Sequence, residues 1–187
     1  MTIKRRHIAL IIGLISINLS ALFFVRPQFA YLTLWIGGFF VTLISLLAII
    51  ISDDTKRTKL FWTVIFILSL VVQQFFKPQL IDISARSFIN QNEAELIELS
   101  NILLEKQGNI TIKRDTILDE NKELTNNERI RLQELRGEVD SYYIWKKFDL
   151  VYIELWGFLD NRFGVTYSPN DTLSKKDHRQ LNDKWYR

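Results

Sequence analysis

Glu154 stands between Ile153 and Leu155 in LVYIELWGF, a β-branched and aromatic stretch in which a carboxylate is out of place. Such a carboxylate is most often exposed on the outer face of a sheet, less often paired with a cation, and least often functional. Alternation along a strand puts Tyr152, Glu154 and Trp156 on one face and Val151, Ile153 and Leu155 on the other. The stretch from Tyr142 to Tyr167 holds nine aromatic residues, more than a small core can take up. The Tyr152, Glu154 and Trp156 face is therefore the candidate surface for a protein partner. A covering helix of the same domain is the commoner alternative, since Tyr and Trp serve both cores and interfaces.

Other chemistry is sparse. Of the two histidines, His7 sits beside an apolar run and His178 lies in the polar tail. Asp177, Asp183, Ser168 and Ser174 are near His178 in sequence, but a Ser-His-Asp site is defined by geometry and these ingredients are common. A hydrolase of envelope polymers would use Glu154 or Asp160 with a second carboxylate about 5–10 Å away. Glu93, Glu95, Glu98 and Glu105 share a helical segment with an apolar opposite face and are expected in solvent. The chain has no Gly-rich phosphate loop, Gly-x-Ser-x-Gly elbow, His-Glu-x-x-His pair or Ca²⁺ loop. Cysteine is absent, which removes disulfides, thiolate metal sites and thiol catalysis. No catalytic residue, cofactor or metal is expected.

The elements that would position these residues divide the chain into unlike parts. Residues 8–25, 31–51 and 60–76 carry no charge, and at 1.5 Å per residue each run reaches about 25–30 Å, the thickness of a hydrocarbon core. Three transmembrane helices are expected, with Tyr31 and Trp35 near an interface. The first run follows Lys4, Arg5 and Arg6 like a signal peptide, but Phe23, Phe24, Val25 and Arg26 stand where a small-x-small cleavage site would be. A hairpin through Arg26, Pro27 and Gln28 is the simpler reading. No ionisable residue interrupts the runs to mark a substrate path, and Ser16, Asn18, Ser20 and Gly37-Gly38 read as helix packing.

Charge gives the orientation. Lys4, Arg5 and Arg6 precede the first run and Lys56, Arg57 and Lys59 separate the second from the third, against Arg26 and Lys77 at the opposite ends. The positive-inside rule then puts the N-terminus in the cytoplasm and everything after the third run outside it. Abundant Asn, Lys and Ile without cysteine points to a bacterial cytoplasmic (inner) membrane. From Lys77 onward 17 Lys and Arg face 19 Asp and Glu, so the basic isoelectric point belongs to the membrane flanks and nucleic acid is not an expected partner.

Residues 1–77 thus read as a three-span anchor and residues 78–187 as one small α+β domain. Pro78 separates the third span from a helical segment, Gln79 to Gln107, broken near Gln91, where Asn92 and Glu95 resemble a capping box, and closed by Gly108. NITIK reads as a short strand, and Thr125 with Glu128 caps a helix to about Val139. Leu150–Phe158 and Phe163–Tyr167 form a hairpin, and Trp185 and Tyr186 dock the tail. Helices against one face of a short antiparallel sheet are expected. The function that follows is protein–protein interaction by a membrane-anchored extracytoplasmic domain, as in an immunity or accessory protein of a bacterial envelope system. The alternatives are the hydrolase and an accessory subunit of a transport complex.

Overall fold

The computed structural model describes residues 3–25, 28–158, 161–170, 173 and 178–187, without the side chains of residues 28, 156–158 and 161. The chain divides into two units, Met1–Ser84 and Ala85–Arg187.

In the first unit, uncharged runs satisfy their backbone polar groups internally by becoming helices. Helix α1 (Arg5–Ser20) continues into a 3₁₀ turn (Ala21–Phe23), α2 spans Gln28–Ile51 and α3 spans Lys56–Gln91. All three are long and apolar enough to cross a membrane. Their surfaces invert the soluble pattern, with Phe29, Phe40, Ile44, Leu60 and Phe75 all more than half exposed. Helices α1 and α2 meet at glycines: a Cβ on Gly13 would lie 2.4 Å from Thr42 Oγ1, and one on Gly38 would lie 2.9 Å from the Gly13 carbonyl oxygen. Gly37 borders open space, so the close contact expected of the Gly37-Gly38 pair is made by Gly38. Asn18 ties α1 to α3, its Nδ2 donating to Ser69 Oγ at 2.9 Å and to the Leu14 carbonyl at 2.7 Å.

The basic N-terminal cluster is anchored rather than loose. Asp54, between α2 and α3, accepts from Lys4 Nζ at 2.6 Å and from Arg6. These two cations, Lys4 foremost, hold its carboxyl well below the usual carboxylate range. Buried His7 stacks on Trp62 with ring centroids 4.9 Å apart, while its Nδ1 accepts the Lys4 backbone N–H.

Pro78 does not end the third helix, contrary to the break expected there; α3 runs through it to Gln91. A proline removes one bond of the ladder and costs about 3 kcal/mol in a helix interior. The turns after it repay this by placing Ile81, Ala85, Phe88 and Ile89 in buried positions at helical spacing. The last turns of α3 belong to the second unit.

That unit continues with α4 (Glu93–Leu104), β1 (Ile110–Lys113), β2 (Thr116–Asp119), α5 (Asn126–Glu138), β3 (Tyr143–Lys147), β4 (Leu150–Phe158), β5 (Asn161–Tyr167), β6 (Gln180–Asn182) and β7 (Trp185–Tyr186). The strands form one antiparallel sheet in the order β2-β1-β3-β4-β5-β7-β6. It is wider than the short sheet expected. Asn92 does not cap α4 with its side chain; its Nδ2 instead donates to the Phe88 carbonyl. Thr125 and Glu128 do form the expected capping box, with the Thr125 N–H donating to Glu128 Oε2 at 2.8 Å. Gly108 lies beyond the end of α4, at φ +79, where it turns the chain into β1. Lys146 Nζ, on a buried side chain, donates to the carbonyls of Lys106 and Gly108 in that turn. Along edge strand β2, Arg129 reaches the Ile117 carbonyl and Asp119 Oδ2.

Candidate functional site

Register separates the two faces of the sheet. Directly paired residues share a face, so Ile112, Ile144, Ile153 and Val165 form one row across β1, β3, β4 and β5. All four are fully buried, as are Leu96, Leu99 and Leu103 of α4 and Leu132 and Leu135 of α5. This is the core side. The adjacent row, on the other face, is Leu118, Thr111, Trp145, Tyr152, Thr166 and Tyr186, which is fully buried. Here Thr111, Trp145, Tyr152 and Thr166 are half-buried and Leu118 is 63% exposed. Trp145 and Tyr152 meet edge to face at 6.0 Å.

The next row on this face holds Lys113, Tyr143, Glu154 and Gly164. Gly164 is required: a Cβ there would lie 2.4 Å from the Ile153 carbonyl oxygen and 2.5 Å from Tyr152 Cζ, so the Tyr152 ring lies against bare backbone. Glu154 is not exposed as the commonest reading had it; its side chain is 6% exposed, with Arg162 Nη1 at 3.8 Å from Oε2. Oε2 has no hydrogen-bond partner among the described residues. The Arg162 guanidinium also sits 5.6 Å over the Tyr143 ring centroid. Burial, and after it the Glu154 charge, raises the Tyr152 phenol above its ordinary pKa, with Arg162 opposing.

The chain matches no family model, no curated protein and no solved structure. Its function has to be argued from this geometry.

Of the three residues expected on one face, the structure brings Tyr152 and Glu154 together and separates Trp156 in register. A bulge falls between Glu154 and Trp156, so Trp156 pairs with Phe163 and not with a residue in step with Gly164. An inserted residue resets alternation along a strand, and no single-strand pattern shows where that happens. The Trp156 side chain itself lies outside the described residues, as does Asp160. Tyr143, Trp145 and Arg162 join the site instead. Sequence reading grouped Tyr143 and Trp145 with the aromatic crowd but could not assign their face without the β3 register, and it left Arg162 in the loop before Phe163, whereas β5 begins at Asn161.

Hydrolytic chemistry finds less support. Among the described residues the charge set against Glu154 is the cation Arg162, not a second carboxylate. A cavity of about 430 Å³ has Glu93, Asp183, Tyr167 and Trp185 on its lining. Both carboxylates are exposed, whereas a general acid at neutral pH needs one held out of water. Asp177 and Ser174, imagined around His178, lie outside the described residues. No group of metal-ligating side chains occurs among the described residues.

Proposed function

We propose that the chain is an integral protein of a bacterial inner membrane that binds another protein through the Trp145, Tyr152 and Glu154 face of an extracytoplasmic domain. Three long apolar helices support the membrane part. The basic flanks support the orientation: Lys4 and Arg6 are offset by one carboxylate, Asp54, while Arg5, Lys56 and Arg57 remain exposed on the same side of the spans. An immunity or accessory protein of an envelope system is the concrete form of this reading.

The observation that carries it is the asymmetry of the sheet. One face carries the fully buried row Ile112, Ile144, Ile153 and Val165 with α4 against β4, while the other presents half-buried Trp145 and Tyr152 and exposed Leu118 away from buried Tyr186. Tyr and Trp anchors of this kind dominate interface energies. The test is affinity capture of the full chain from membranes solubilised in mild detergent. A specific protein should be retained by the wild type and lost by Trp145→Ala and Tyr152→Ala, with both variants still folded. Retention of the same protein by both variants would refute this surface.

A further inference from the structure

Resting on that reading, we infer that the Tyr143, Tyr152 and Glu154 notch receives a basic side chain of the partner, and that Arg162 occupies its place in the free chain. A carboxylate that is 6% exposed, with an oxygen lacking any hydrogen donor among the described residues, is a costly arrangement unless something completes it. Arg162 completes it poorly. Its nearest nitrogen stays at 3.8 Å, beyond hydrogen-bond reach, and its side chain is 63% exposed. Yet the same guanidinium lies over the Tyr143 ring, which shows the chemistry the notch accepts: a flat cation against an aromatic face with a carboxylate at its edge. A guanidinium or ammonium arriving from outside can approach Glu154 in line and donate directly, while Arg162 swings into solvent. Lys113, next to Tyr143 in the same row, is exposed and bounds the notch on that side with positive charge. It therefore favours entry of one basic side chain over a cluster of them.

The probe is N-acetylarginine methylamide, titrated calorimetrically at low salt into the full chain in a neutral detergent, with the citrulline counterpart as an uncharged isostere. Arg162→Ala vacates the notch and should bind the arginine amide at least tenfold more tightly than wild type, and the citrulline amide should not bind. Adding Glu154→Gln to Arg162→Ala should abolish the gain. If that double variant fails to fold, Tyr143→Leu in the Arg162→Ala background should reduce the gain instead. Equal binding of the two amides, no gain on vacating the notch, or a gain indifferent to Glu154 and Tyr143 would each overturn the assignment. Its failure is separable from that of the protein-binding reading. A partner captured through Trp145 and Tyr152 but unaffected by Glu154→Gln would leave the surface standing and remove the cation notch.

Discussion

Adjacent residues of β4 should respond to truncation in opposite ways if the face is open. Ile153 is fully buried toward the helices, and Ile→Ala at such a site costs about 2–5 kcal/mol because a cavity remains behind. Tyr152 is half-buried on the other side. Its removal forfeits an edge-to-face contact with Trp145, about 0.5–1.5 kcal/mol, and about half of the 1.5–3 kcal/mol that full burial of such a ring contributes, with no enclosed cavity to add to it. With a urea dependence of about 1.5 kcal/mol per molar, a 4 kcal/mol loss moves the unfolding midpoint by about 2.7 M, and a loss of about 2 kcal/mol moves it by about 1.3 M. Pulse proteolysis of the full chain in mild detergent reads these midpoints, since a brief protease exposure cleaves unfolded units selectively. Ile153→Ala should therefore shift the midpoint clearly further than Tyr152→Ala. Equal shifts would mean that the Tyr152 ring is enclosed, and the argument for an open face would fail.

Other consequences are as direct. A reporter fused after Arg187 should be active only outside the cytoplasm and one fused near Thr55 only inside; a cytoplasmic signal from the first would remove the topology. The Lys106 ammonium first, and then Thr125, hold the Glu128 carboxyl down to about 2, from an ordinary 4.5. Its stabilising contribution is therefore complete above pH 4.5 and lost as pH falls toward 2; Glu128→Gln should flatten that part of the acid-unfolding curve, and an unchanged slope would show that the ion pair is not formed in solution. Asp54→Asn weakens the attachment of Lys4 and Arg6, so trypsin should cleave the N-terminal basic cluster faster in detergent, and equal cleavage would contradict the anchoring.

What could be read from the chain followed from strong periodic or compositional signals. The apolar runs of α1, α2 and α3, the capping box at Thr125 and the hairpin of β4 with β5 each have a local cause, and each appears in the structure. Strands β2, β6 and β7 were not legible, because Thr116–Asp119 and Gln180–Asn182 are too short and polar to alternate visibly, although each closes a tight hairpin with the strand beside it in sequence. Continuation through Pro78 was hidden because proline marks a local penalty, while the compensating burial lies several residues later. At the site, Tyr152 and Glu154 could be placed on one face by alternation alone. The burial of Glu154, its approach by Arg162 and the bulge before Trp156 depend on cross-strand register, which no single segment encodes.

Arg129 has a wider consequence. Copies confined to a bilayer meet at local concentrations far above those in bulk solution, and an open strand edge would let them zip into ribbons. The guanidinium at the Ile117 carbonyl and Asp119 occupies that edge of the sheet. Crowding along the membrane therefore meets a β2 edge whose Ile117 carbonyl already has a donor, which disfavours polymerisation through that strand.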